Sequence, residues 1–406
     1  VAPSNLSLDS ATWEGGSADR DADGNLIVPE GTAITFSGSF RDPGVADTHN
    51  IVFAWADGEE LQGVTATQDP DDPTLFRFTV ERAFADDHPS SGTPSDLVTV
   101  TLGVRDDDGG TAVLQANVRI TNVAPDVTVT PDTQEVQYSD PLATVTITAS
   151  DVRGLVNETD GTRTESMTIA TRWKLDDGEW QQGLFGDLVL SAPACSISGA
   201  LETARETCAR TIDGIVHAQP GLYTIEVTIT DDDTGTTTRT IVVDVKREDA
   251  RATYTGPTLI SAPSLANGSA EVLLRATVRD ISVVPGIEPP DEHPGDITKA
   301  TVTFVNRATG EVLCTAPVVP IFVGNTTTGG ASCTATLTLA AGQNLRTYDV
   351  GIVVGGWYTR DSAEDDVQVT IERPTGDWVT GGATIVVTGG AGAYAPAGNI
   401  DVNAST

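Results

Sequence analysis

Residues 98–125 constrain the fold more than any other stretch. Val98, Val100, Leu102 and Val104 alternate with Thr99, Thr101, Gly103 and Arg105. After an Asp-Asp-Asp-Gly-Gly joint at 106–110 the alternation resumes at Leu114, Ala116, Val118 and Ile120. A period of two buries one face of each strand and wets the other. The joint is made of residues that tolerate tight turns and positive φ. This predicts a β-hairpin closing a module, with residues 122–125 as the stop before the next. The pattern returns at Tyr223, Ile225, Val227 and Ile229, turns at 231–235, and runs back through Ile241, Val243 and Val245. A chain that repeats such hairpins is an all-β tandem array.

The spacing supports a copied unit. Trp55 and Trp173 stand 118 positions apart and Asp106 and Asp231 stand 125 apart, so the repeat is about 120 residues. Short apolar runs separated by turn residues, including Ile34 with Phe36 and Ile51 with Phe53, indicate β-sandwiches. The expected modules are 1–123, 124–247 and 248–374, followed by a Gly-rich tail over 375–406 with a partial strand. That tail strand, at 383–388, is expected to pair with a sheet edge of a neighbouring subunit, or otherwise against module three.

Module two carries Trp173, Asp177-Gly178, His217, Pro220-Gly221, Tyr223 and the Asp231 turn. Module one carries Trp55, Asp57-Gly58 and the Asp106 turn, with Ala83-Phe84 in place of the His. With these motifs the two modules resemble PKD-like (polycystic-kidney-disease) domains, immunoglobulin-like β-sandwiches of large secreted and cell-surface proteins. The resemblance covers roughly the first 240 residues and implies a spacer or binding platform. His217 reads as a strand-edge packing residue. Tyr254, Asp280, Gly295, Asn306, Tyr358 and Arg360 lie in segments of module three that look like a module following PKD-like repeats in large bacterial secreted proteins. That second resemblance implies no activity.

The formal charge is −35, from 58 acidic and 23 basic residues. Nucleic acid and anionic membranes are therefore excluded as expected partners. No apolar run approaches the roughly 18 residues of a membrane-spanning helix. The four cysteines form two local pairs, Cys195 with Cys208 and Cys314 with Cys333, without zinc spacing. Disulfides in an oxidising compartment are the expectation, with buried thiols as the alternative. Sequons at Asn5, Asn157, Asn267, Asn325 and Asn403 are compatible with a glycosylated surface protein. The chain begins at Val1 without a signal-peptide pattern, which reads as a mature product or an excised segment.

The sharpest local motif lies at 19–30. Asp19, Asp21, Asp23, Gly24, Asn25 and Glu30 fit the spacing of an EF-hand calcium loop. There, carboxylates converge around a Gly turn, a backbone carbonyl serves at the seventh position, and Glu reaches back bidentately. The flanks read as loop and strand, so this is a calcium loop in a β setting, or else a solvated acidic turn. Asp42, Asp47, Asp57 and Asp106 to Asp108 form either a second site at one end of module one or a solvated rim. The Asp231 to Asp233 turn has the same ambiguity.

Enzyme motifs such as H-E-x-x-H, G-x-S-x-G and a P-loop are absent from the sequence. A glycine pattern near Gly390 mimics a dinucleotide fingerprint but meets Pro396 rather than a helix. The expectation is a non-catalytic extracellular or cell-surface protein. It is read as a calcium-stiffened modular β rod that self-assembles with neighbours or a surface component into a surface layer, filament or adhesin. The alternative is a set of polysaccharide-binding accessory modules of a secreted hydrolase. A glycan partner would use exposed aromatics, for which Trp180, Trp357, Tyr358 and Trp378 are the candidates.

Overall fold

The computed structural model describes residues 1–406 except 57–59, 86–91, 154–165, 200–202, 288–289, 375–379, 388–397 and 406. Asp57, Gly58, Asn157, His88 and Trp378 therefore lie outside the described residues. For 380–387 and 398–405 only the backbone is described. The described part is all-β, with three short 3-10 turns and no α-helix. Among the described residues no helix is long and apolar enough to cross a membrane.

The first hundred and twenty residues build two five-stranded sheets. One runs Gly16–Ser17, Ser4–Trp13, Ile34–Arg41, Leu75–Arg82, Ala66–Gln68. The other runs Leu26–Pro29, Thr111–Thr121, Ser95–Asp106, His49–Trp55, Glu60–Val64. Alternation decides which side chains meet between them. Val98, Val100, Leu102 and Val104 are buried opposite Phe36, Phe40 and Phe78. Leu114 and Ala116 are half-buried against the same core, while Val118 and Ile120 are fully inside it. Trp55 packs on Phe36, Phe53 and Phe84, with ring centroids 5.3, 6.3 and 5.3 Å away.

The next sandwich repeats the plan. Asp126–Thr130, Pro141–Val152, Arg205–Ile215 and Val189–Leu190 form one sheet, with Ala194–Ser198 also on Arg205–Ile215. Thr133–Gln137, Thr236–Lys246, Gly221–Thr230, Thr168–Leu175 and Gln181–Gln182 form the other. Register confirms the copy: Trp55 sits across from Val100 and Trp173 across from Ile225. The hairpin turns share their carboxylate bond. Gly110 N–H donates to Asp106 Oδ1 at 2.6 Å, and Gly235 N–H to Asp231 Oδ1 at 2.6 Å. Gly109 (φ 89°) and Thr234 (φ 73°) hold the left-handed position of each turn. Tyr223 donates its hydroxyl to the carbonyl of Gln219, the tyrosine-corner contact of immunoglobulin-like sandwiches. The chain is thus a tandem of immunoglobulin-like β-sandwiches.

Residues 1–136 with 141–245 form one compact unit, and 137–140 with 246–406 form a second. In the second unit a ten-stranded arrangement follows the order Leu259–Ser261, Val367–Glu372, Leu345–Gly356, Tyr358–Asp361, Glu248–Tyr254, Ser269–Asp280, Thr328–Thr338, Val319–Pro320. Ala300–Asn306 and Glu311–Pro317 join it beside Leu345–Gly356. The tail differs from the expectation of a lone strand completed by a neighbour or by module three. Thr380–Val387 pairs antiparallel with Gly398–Ser405, so the chain supplies its own partner strand.

Candidate functional site

The loop at 19–30 is a turn stitched by protein groups. Asp21 accepts from the backbone N–H groups of Asp23 and Asn25, from the Asn25 amide, and from Arg119 Nε at 2.9 Å. The Asn25 amide, the nearby N–H groups and Arg119 together hold the Asp21 carboxyl down at about 2. Arg20 reaches the carbonyl of Gly24. Glu30 does not turn back to this loop. Leu26–Pro29 pairs parallel with Thr111–Thr121, which carries Glu30 to the end of the sandwich. There its buried carboxylate accepts from Val123 N–H at 2.8 Å. Asp19, Asp21, Asp23 and Glu30 are not gathered: among the described residues, only two sets of three His, Cys, Asp or Glu ligand atoms lie within 4.8 Å.

One of these sets is Cys195, Glu206 and Cys208, whose sulfurs are joined in a disulfide and are not thiolates. Cys314 and Cys333 are joined as well, and there is no free cysteine. Both expected pairings are present. The other set is Asp42, Asp47 and Asp106. Asp42 follows strand Ile34–Arg41 of one sheet, Asp106 ends strand Ser95–Asp106 of the other, and Asp47 lies in the loop before His49–Trp55. His49 stands opposite Asp106 in register and binds Asp42 Oδ2 through Nε2 at 2.9 Å. Burial pushes Asp42 up, but the His49 and Gly44 hydrogen bonds outweigh it and its pKa lies below the ordinary value. Burial, then the charges of Asp107, Asp42 and Asp108, push Asp47 up.

Between the first two sandwiches lies a built joint that sequence reading missed. Besides Glu30 and Val123, Thr93 N–H donates to Asp233 Oδ1 at 2.8 Å. Gly31 (φ 61°) lies so close to Val152 that a Cβ there would collide with its methyls. Gly235 lies against Ala124 and the Asn122 side chain. The one signal for this in the sequence was the Glu at position 30, which the calcium motif claimed.

In the second unit, Asp280 is fully buried at the end of Ser269–Asp280. Its Oδ2 accepts from the Tyr358 hydroxyl at 2.7 Å and from Gly295 N–H at 3.0 Å. Its Oδ1 accepts from Ser282 N–H. Glu248 is buried nearby, accepting from Asp249 N–H at 2.8 Å. It borders an acidic cavity of about 550 Å³ that Asp140, Asp291 and His293 also line. Burial, then the charges of Asp291, Asp280 and Asp140, push Glu248 up to about 8.

The expected glycan-stacking aromatics do not form a platform among the described residues. Tyr358 is core, and Trp357 meets Tyr138 edge-on at 4.9 Å with Lys299 over its ring. Trp180 is 37% exposed, but Arg172 and Lys174 lie over its ring at 4.5 and 5.5 Å. His217 is exposed and paired with Asp187 at 2.7 Å, rather than packed at a strand edge.

No protein-family description matches the chain. No curated protein matches it either. Among solved structures, it is similar to a tetra-tandem repeat from the extending region of a large adhesion protein. Identity is 12%, with 99% of this chain and 87% of that chain covered, at a TM-score of 0.31. It is also similar to the Dpr2 Ig1-Ig2 complex with DIP-Theta Ig1-Ig3, at 11% identity, with 90% and 99% covered and a TM-score of 0.26. A Bacteroides ovatus glucan-utilisation protein bound to a mixed-linkage heptasaccharide is similar at 12% identity, with 94% and 74% covered and a TM-score of 0.17. At these scores none of them bears on what this chain does.

Proposed function

We propose a structural, non-catalytic role outside the cell, in which tandem β-sandwiches hold other parts of an adhesin, filament or surface layer at a set distance. The observation that carries this reading is the joint of the first two sandwiches. A flexible linker needs no buried carboxylate, no glycine fitted against a neighbour's valine and no hydrogen bond from Thr93 to Asp233. Such contacts favour one angle between modules over many. Two disulfides fit an oxidising compartment. The kinship with PKD-like modules belongs to the same reading and is supported by Trp173 packing on Phe185 and Tyr223. Self-assembly is part of the proposal too. The tail ribbon has two outer edges that suit strand addition by a neighbouring copy.

The test is a distance measurement in the full chain. Nitroxide labels at Val113 and Leu222, both exposed, report on the first two sandwiches by pulsed dipolar spectroscopy. A single narrow distance distribution is expected. Glu30→Ala strips Val123 N–H of its buried acceptor, at a cost of about 1–3 kcal/mol, and widens the distribution. A distribution in the wild type as broad as that of a Gly/Ser linker would sink the spacer reading.

A further inference from the structure

The Asp42, Asp47 and Asp106 group is separate from the loop at 19–30, and what it does goes beyond the spacer role. Asp42 is 0% exposed and Asp106 3%. Asp42 uses both oxygens, Oδ1 on Gly44 N–H and Oδ2 on His49. Asp106 uses only Oδ1, on Gly110 N–H. Its Oδ2 is buried and has no hydrogen-bond partner. Buried carboxylate oxygens are normally paired with a donor or bound to a metal. The positive charge facing the group comes from His49, when protonated, and from the field of the terminal ammonium. Asp107 and Asp108 add further negative charge beside Asp47.

Asp280 in the second unit shows how the chain satisfies a buried carboxylate when it does so alone. That residue also ends a core strand, and both its oxygens are bound, by Ser282, Gly295 and the Tyr358 hydroxyl. Asp106 has no such hydroxyl. Instead, glycines stand where any side chain would intrude. A Cβ on Gly110 would lie 2.5 Å from Asp106 Oδ2, and a Cβ on Gly44 would collide with Asp47 Oδ2.

We propose that Asp42, Asp47 and Asp106 hold one calcium ion, with Asp106 Oδ2 as its buried ligand and water completing the shell on the Asp47 side. The donors are all carboxylate oxygens, which suit a hard cation. Calcium–oxygen bonds of about 2.4 Å set ligands up to about 4.8 Å apart across the ion. The three carboxylates lie within that span, 4.8 Å. His49 acts behind the ligands by fixing the Asp42 carboxylate. The ion would tie the end of one sheet to the hairpin turn of the other, where Gly110 also meets the backbone of Ala2.

The experiment is calcium titration into the full chain by calorimetry, with magnesium in parallel, and thermal unfolding in EDTA or 5 mM calcium chloride. One calcium site with a dissociation constant of about 0.1–1 mM is expected. Calcium should raise the melting temperature of the first unit by about 4 °C. Asp106→Asn removes a like charge, so in EDTA it melts at or above the wild type, yet it no longer responds to calcium. Asp47→Asn, in the more open loop, weakens binding at least about tenfold and covers the case in which Asp106→Asn does not fold. Asp21→Asn, in the 19–30 loop, leaves calcium binding intact. Absence of calcium binding in the wild type overturns the proposal. So does binding that survives Asp106→Asn or Asp47→Asn but is lost in Asp21→Asn. An equal response to magnesium overturns the assignment to calcium.

Discussion

Raising the pH from 5 to 9 should lower the melting temperature of the second unit, and Glu248→Gln should remove most of that fall. Glu248 ionises near 4.5 when the chain is unfolded and near 8 when it is folded. Between those values the native state keeps a proton that the unfolded state has released. Stability is therefore highest below about 4.5, declines through the window, and levels off above 8. Each pH unit inside the window is worth about 1.4 kcal/mol, which gives an upper bound of about 5 kcal/mol across it. The cause is burial first, then repulsion from Asp291, Asp280 and Asp140. Asp140 is itself pushed up by burial and by Asp291, so its own contribution to stability falls with pH in the same direction. A glutamine at 248 keeps an acceptor for Asp249 N–H and carries no charge at any pH. Its melting temperature at pH 9 should exceed that of the wild type. A wild-type profile that is flat from 5 to 9, or a variant that keeps the full slope, would remove Glu248 as the source.

The second large effect concerns the disulfides, and the two should behave differently. Cys195–Cys208 spans 13 residues and Cys314–Cys333 spans 19, so the chain-entropy model assigns about 3 kcal/mol to each. Cys195 lies on Ala194–Ser198, an edge strand whose every residue is exposed. Replacing Cys195 and Cys208 by Ala should fray that strand, seen as fast amide exchange at 194–198, with the core of the sandwich still protected. Cys314 and Cys333 join Glu311–Pro317, which pairs with Ala300–Asn306, to Thr328–Thr338, which pairs with Ser269–Asp280. That bridge links two different strand groupings, so its loss should lower the melting of the whole second unit. Equal global losses from both double variants would contradict this distinction.

The fold was legible because a two-residue period encodes which face is buried before any partner is known. Val98 to Val104 and Tyr223 to Ile229 are buried in the alternation they show in sequence. The two cysteine pairs were legible because each is local. What could not be read was where a strand end delivers its last side chain. Glu30 fits a calcium loop by spacing alone, yet parallel pairing of Leu26–Pro29 with Thr111–Thr121 takes it to Val123. Asp42 and Asp106 stand out in the sequence as acidic, but rim and buried cluster look alike until two sheets are stacked. Tyr358 illustrates the same limit. A tyrosine beside Trp357 resembles a sugar-binding pair, whereas its hydroxyl is the donor that a buried Asp280 requires.

The contacts of Ala2 with Gly110 and of Ala124 with Gly235 have a further meaning. In each of the first two sandwiches the chain enters beside the hairpin turn. The last strand then leads away from that turn, along Thr111–Thr121 in one and Thr236–Lys246 in the other. Entry and exit are at opposite ends. An 11-residue strand covers about 36 Å at roughly 3.3 Å per residue. Duplicating such a unit extends the chain's reach by a whole strand length each time, whereas a unit with adjacent ends would add only bulk. Selection for reach can therefore act on copy number alone, with no new fold to be found.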